Sequence, residues 1–220
     1  MTTMVPLNVP YYAQVASPEW IPRILDDQIA AGEDPGWLAY GAVSTDEYAW
    51  WVPRACGMVC VKMVVEALGG PKLKVMDWVR RGLDKKGYLI EQDAYGDWVE
   101  KGWVHSCMVD LIEEEGFKAH MREANLEDIG IQVRHGRLVI ASVSFEIGTD
   151  MPITRRGGHL VVVTGIQSVD GKLGAVLVHN PSGRRENLRV NACIPAERFK
   201  QAFKGRIIVA SNAASAASNH

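Results

Sequence analysis

The chain has 220 residues, 47% of them hydrophobic, which suits one globular core with room for one sizeable insertion and excludes intrinsic disorder for the chain as a whole. Basic and acidic residues nearly cancel, 24 against 26, so the net charge of -2 sets up no global field for nucleic acid or an anionic membrane. The longest apolar runs, such as 160–163 and 207–210, fall far short of the roughly 20 residues a membrane helix needs. The start Met1-Thr2-Thr3-Met4-Val5-Pro6 has neither a basic nor an apolar signal stretch, so the expected compartment is the cytoplasm.

Residues 7–14 read as an extended edge segment, because aromatic and β-branched residues alternate with prolines that forbid a helix. Residues 17–51 are rich in Pro, Gly and Trp and read as a loop-rich insertion with a short helix near 21–31. Its four tryptophans, Trp20, Trp37, Trp50 and Trp51, either wall a cleft or bury the insertion against the core. Helices are expected at 56–68, closed by Gly69-Gly70 and Pro71, at 75–83, and at 104–115, closed by Gly116. A further helix, capped by Asn125, ends near Gly136.

Beyond Gly136 the period changes to that of strands: 137–145, 159–168, 172–179 and 205–210, with a short helix at 195–203. Helices first and sheet second give an α+β class, a helical layer packed on a mostly antiparallel sheet. Residues 1–210 then form a single domain, and residues 211–220, all Ala, Ser, Asn and His, are expected to be a disordered tail.

Four cysteines, Cys56, Cys60, Cys107 and Cys193, are too few for a disulfide framework in a chain this long and are expected as free thiols. No CxxC pair occurs and the histidines are scattered, so no metal or other cofactor is expected. Cys56 opens a helix, where the positive end of the backbone dipole favours thiolate over thiol. Cys60, Cys107 and Cys193 read as packed core residues.

His159 opens a strand that reaches the turn Asp170-Gly171 and returns as residues 172–180. Asp-Gly between two apolar runs is a strong hairpin signal. A two-residue turn puts Val169 opposite Lys172 and Val161 opposite Asn180, so His159 and Asn180 share a face on a diagonal. A bulge at Gly174 would turn Asn180 away. His179 points to the other face and reads as structural, and Asn180-Pro181-Ser182-Gly183 also has the composition of a plain turn.

A helix-start cysteine, a strand-borne histidine and an amide on the next strand are the parts of an activated thiol site. Gln14 is the candidate oxyanion donor, since a neutral amide N–H stabilises developing charge without protonating it. His105 falls near a helix start with no partner in view, Arg155-Arg156 reads as a charged surface loop, and the run Glu113-Glu114-Glu115 reads as a solvated helix face.

Gln14 with its preceding Val9-Pro10-Tyr11-Tyr12-Ala13, the helix start Ala55-Cys56-Gly57-Met58, the strand Gly158-His159-Leu160-Val161-Val162-Val163 and His179-Asn180-Pro181 resemble the motifs of the bacteriocin-processing peptidases. Those members of the papain superfamily cleave leader peptides after a double glycine. The resemblance implies a papain-like fold with Cys56 as nucleophile, His159 as base, Asn180 as orienting residue and Gln14 as oxyanion donor, acting on a peptide or protein. Two departures stand out: Gln14 lies 42 residues before Cys56 instead of a few, and Asn180 stands where the transporter-linked members usually carry Asp. Three functions follow as expectations: a cysteine peptidase or amidase, a papain-like acyltransferase, or an inactive module that binds peptide through the Trp-rich insertion.

Overall fold

The change of hydrophobic period after Gly136 marks the start of the central strands of a sheet. The computed structural model describes residues 2–213. In chain order the elements are β1 (Thr2–Pro6), α1 (Ile21–Leu25), α2 (Thr45–Trp51), α3 (Cys56–Ala67), α4 (Val75–Asp84), β2 (Tyr88–Gln92), β3 (Trp98–Trp103), α5 (His105–Glu114), β4 (Lys118–Glu123) and α6 (Leu126–Arg134). They continue with β5 (Leu138–Ser144), β6 (Gly158–Val169), β7 (Lys172–His179), β8 (Ala192–Pro195), α7 (Ala196–Ala202) and β9 (Phe203–Ser211).

Seven strands form one antiparallel sheet in the order β4-β9-β5-β6-β7-β8, with β1 on β6. β5 pairs with the first half of β6, and β1 takes over that edge where β5 ends. β2 and β3 make a separate hairpin.

The helices cover both faces of the sheet. Leu138, Ile140, Leu160, Val162 and Ile208 pack with α3, α4 and α5, whereas Val139, Ala141, Val161, Val163 and Ile207 pack with α6 and α7. β5 is therefore buried at every position, which is why it is apolar on both faces apart from Ser142 and Ser144. α3 has nine of its twelve residues buried, Lys62 among them, as expected of a helix wedged between layers. The Lys62 ammonium is ion-paired with Glu66, donates to the Leu73 carbonyl at 2.6 Å and lies 4.0 Å from the Tyr12 ring.

Several sequence expectations are corrected. The amino-terminal strand is Thr2–Pro6, and residues 7–14 leave the sheet after Leu7 N–H reaches the Thr164 carbonyl at 2.7 Å. Pro10, which has no N–H, cannot continue a ladder there. α1 stops at Leu25, before a left-handed Asp27 (φ 55°). Strands β2, β3, β4 and β8 are mostly polar or very short and carried no period-2 signal. Ser211 closes β9 opposite Lys118 instead of beginning a tail, and 214–220 lie outside the described residues.

The Trp-rich insertion is an integral part of the core. Ile21, Ile24, Tyr40 and Tyr48 join the α3 cluster. Its organising group is Asp34, fully buried, which accepts hydrogen bonds from Ser17 N (3.1 Å), Ser17 Oγ (2.5 Å), Gly36 N (2.8 Å) and the Tyr48 hydroxyl. Burial alone would raise this carboxyl, but the bonds from Ser17, Tyr48 and Gly36 outweigh it and hold the pKa below the ordinary value.

Replacing Asp34 by Ala strands those donors in a dry site, so Asp34→Ala should destabilise the protein by about 2–4 kcal/mol in urea unfolding. A loss near zero would contradict this role. Because the folded carboxyl is the stronger acid, its contribution is present above the unfolded carboxylate pKa and fades as pH falls below it.

Candidate active site

Cys56 is the first residue of α3, with Ala55 as the cap, and the sulfur is half-buried at the helix start. The expected lowering of its pKa is not realised. Burial pushes the thiol up to about 11, against the backbone N–H groups of Leu160, Gly57 and Cys56, which favour the thiolate. The helix terminus pulls in the anticipated direction, and desolvation is larger.

The Asp170-Gly171 turn has both residues at positive φ (49° and 78°), as a type I′ hairpin requires, and Val169 lies opposite Lys172. A bulge does fall at Gly174. A second bulge at Thr164, on the other strand, cancels it, so Val162 lies opposite His179 and the original register is recovered before Asn180. His159 Nε2 consequently lies 2.9 Å from Asn180 Oδ1.

The orientation of that amide is fixed by Ser182. Its backbone N–H lies 3.0 Å from Asn180 Oδ1 and can only donate, so the accepting atom must be oxygen. His159 Nε2 must then carry the proton and donate to Oδ1, leaving Nδ1 with a free lone pair. Ser182 Oγ adds a second contact to Nε2 at 3.1 Å. Burial holds His159 down to about 4, against the Asn180 bond, and the charge of Arg184 lowers it further. Gly148 is confined by the same group, because a Cβ there would lie 2.6 Å from Asn180 Nδ2.

Cys56 and His159 line one cavity of about 810 Å³, with Ser142, Gly158 and Leu160 beside them. Among the described residues the thiol makes no hydrogen bond to the imidazole. Cys56 packs with the cluster that holds Leu160, while His159 has the strand parity of Val161, so the two meet only at the open end of β6. Gln14 is buried and does not line this cavity. Its N–H donates to the Pro181 carbonyl at 2.8 Å, and its own carbonyl accepts from the Tyr40 hydroxyl at 2.7 Å. Gln14 thus belongs to the Asn180 loop.

The cavity wall opposite the sheet is the β2–β3 hairpin. None of Trp20, Trp37, Trp50 and Trp51 lines it; Trp103 does, bonded through Nε1 to the Arg54 carbonyl at 2.8 Å and packed 5.8 Å from Trp51. The hairpin is latched two residues before the nucleophile. Arg54 makes a two-pronged bond to Glu100 (2.9 and 2.5 Å), which also accepts from the Tyr88 hydroxyl at 2.6 Å.

A model of the Peptidase_C39 like family matches residues 6–207. The chain belongs to that family. The C39-like chain resembles in structure a C39-like peptidase from Bacillus anthracis, with 16% identity, a TM-score of 0.51, and coverage of 72% of this chain and 89% of that one. The peptidase domain of Streptococcus ComA, a bifunctional ABC transporter of a quorum-sensing pathway, aligns at 16% identity over 72% of this chain and 92% of its own, with a TM-score of 0.49. No curated protein matches the sequence. The fold is the papain-like α+β fold of C39 peptidase domains. No helix among the described residues is long and apolar enough to cross a membrane, and none of their His, Cys, Asp and Glu side chains cluster as metal ligands.

Of the remaining cysteines, Cys60 and Cys107 are buried as read, but Cys193 is exposed, because the short strand β8 turns it outward between buried Ala192 and Ile194. His179 is structural: its Nδ1 accepts from Asn191 N (3.0 Å), so Nε2 donates to the Val9 carbonyl (2.9 Å). Ser182 is the site residue that sequence reasoning missed. Its signal was the turn composition itself, since the Asx turn that makes Asn180-Pro181-Ser182-Gly183 a turn also orients the amide.

A ¹⁵N NMR titration of the ring nitrogens should find His159 as the neutral Nε2–H tautomer, titrating near pH 4 instead of 6.5. A folded pKa below the unfolded one means that stability is full above the unfolded value and declines as pH falls through the folded one. A midpoint near 6.5, or an Nδ1–H tautomer, would contradict the arrangement.

Proposed function

We propose that this C39-like chain is a thiol peptidase that hydrolyses a peptide bond through a Cys56 acyl-thioester. The observation that carries the reading is the amide of Asn180, fixed by Ser182 N–H, holding His159 as the Nε2–H tautomer beside the cavity that Cys56 lines. A base with a free Nδ1 lone pair and a thiol at a helix start are the two parts that nucleophilic acyl transfer requires.

Burial keeps both groups neutral at rest, so the thiol loses its proton during attack and does not wait as a thiolate. Cys56 Sγ adds to the carbonyl carbon while its proton passes to His159 Nδ1. The resting site has no thiol–imidazole hydrogen bond, so this contact forms as substrate fills the cavity. Collapse of the tetrahedral adduct breaks the C–N bond, and His159 returns the proton to the departing amine. Water then attacks the thioester, His159 takes its proton, and that proton passes to sulfur as the acid product leaves.

In this reading backbone N–H groups at the start of α3 bind the oxyanion, with Gln14 as the side-chain donor. Gln14 is outside the cavity lining, so its amide must move to reach the oxyanion, and Gln14→Ala should lower turnover while leaving His159 titration unchanged.

In a Cys193→Ala background, which removes the exposed thiol, iodoacetamide should label Cys56 ahead of Cys60 and Cys107, and His159→Ala should slow that labelling by about 10²-fold or more. Incubation with a mixed peptide library should give cleavage that Cys56→Ala abolishes. Labelling unaffected by His159→Ala would overturn the reading. New amides formed with added amines, without hydrolysis, would favour acyl transfer.

A further inference from the structure

Proton transfer from Cys56 turns His159 into an imidazolium, and the groups that receive this charge decide how strong a base the ring is. Among the described residues no carboxylate lies within ion-pair distance of the ring. The guanidinium of Arg184 opposes its protonation. The neutral Asn180 amide is one acceptor, and its oxygen is already shared, because Oδ1 also receives the Ser182 N–H at 3.0 Å.

A second acceptor stands beside it. Ser182 Oγ is 3.1 Å from His159 Nε2 and 3.4 Å from Asn180 Oδ1. With the proton on Nε2, the hydroxyl can only accept from the ring, and its own hydrogen turns to Oδ1. Nε2–H is thus forked between two oxygens, which fixes the rotation of the ring and leaves the Nδ1 lone pair free. His159, Asn180 and Ser182 are all buried, so solvent does not replace a missing acceptor. The turn places the hydroxyl: the Ser182 carbonyl accepts from Arg184 Nη1 at 2.9 Å, and at Gly183 a Cβ would lie 2.1 Å from the Leu188 carbonyl, so only glycine lets the chain pass.

We infer that Ser182 is a positioning residue whose hydroxyl, with Asn180 Oδ1, forms a two-oxygen acceptor behind His159 that does together what one carboxylate would do: it holds the ring and stabilises the imidazolium. The proton from Cys56 enters at Nδ1 while Nε2–H stays in place, so nothing is transferred to Ser182. A hydrogen bond accepted from a cation is roughly twice as strong as one from a neutral donor, so the hydroxyl favours the protonated ring. This deepens the peptidase reading and rests on it.

Ser182→Ala removes the hydroxyl but keeps the backbone N–H that orients Asn180, so the two contributions separate. In a ¹⁵N NMR titration Ser182→Ala should retain the Nε2–H tautomer and move the His159 midpoint, near 4 in the parent, down by about half a unit or more. In the Cys193→Ala background it should slow iodoacetamide labelling of Cys56 by about fivefold or more, the difference between a hydrogen bond to a charged ring and one to a neutral ring. Ser182→Thr, which restores a hydroxyl, should recover part of both.

A serine that only supported the turn would lower stability in urea and leave the midpoint where it was. An unmoved or raised midpoint in Ser182→Ala, or labelling as fast as in the parent, overturns the proposal. If Ser182→Ala does not fold, the parent decides: its His159 Nε2–H must exchange slowly with solvent and show a nuclear Overhauser contact to the Ser182 β-protons, and absence of that contact overturns the proposal. If His159→Ala leaves Cys56 labelling unchanged, the peptidase reading falls while the midpoint shift still reports on the hydroxyl, so the two failures are distinguishable.

Discussion

The hydrogen bond from His159 to Asn180 depends on strand register, and every other feature of the site is arranged around keeping that register. In a sheet a slip of one residue reverses every side chain, so a single bulge between the Asp170-Gly171 turn and Asn180 would separate the pair. The hairpin contains two bulges, one on each strand, at Gly174 and Thr164. The second restores what the first displaces. It also frees the Thr164 carbonyl for Leu7 N–H, and Gly165 leaves room for β1, since a Cβ there would lie 2.7 Å from the Val5 carbonyl.

The loop that carries Asn180 is held with equal economy. The Asn180 carbonyl accepts from Tyr11 Oη, that of Pro181 from Gln14 N, that of Ser182 from Arg184 Nη1, that of Gly183 from Arg189 Nε and that of Arg184 from Arg189 Nη2. With these backbone carbonyls all bonded, the stretch has little freedom to rearrange. Arg184 also reaches Asp26 at 2.7 Å and the Leu25 carbonyl at 3.1 Å, so the insertion braces the back of the site. The hairpin β2–β3, not the insertion, supplies the wall of the cavity.

Desolvation sets the chemistry of the thiol and the imidazole together. A thiol pushed up to about 11 and an imidazole held down to about 4 form a neutral pair, which avoids two charges in a partly desolvated site. Cys56 and His159 approach the start of β6 from different faces, which accounts for the absence of a resting bond between them.

Much of this was legible in local patterns. The 3.6-residue period and the glycine stop of α3, the Asp-Gly turn, and the shared face of His159 and Asn180 follow from backbone geometry that neighbouring residues impose on one another. Cys56, His159 and Asn180 were therefore nameable as a set from the sequence. The rest was decided by contacts between distant segments. Strands β2, β3, β4 and β8 are too short or too polar to announce themselves in the sequence, and each is held by the hydrogen bonds a partner strand offers. The second bulge, the orientation of the Asn180 amide by Ser182, and the position of Gln14 outside the cavity lining are likewise tertiary. So is the rise of the Cys56 pKa, because the sequence places the thiol at a helix start, but only packing fixes how much water reaches it.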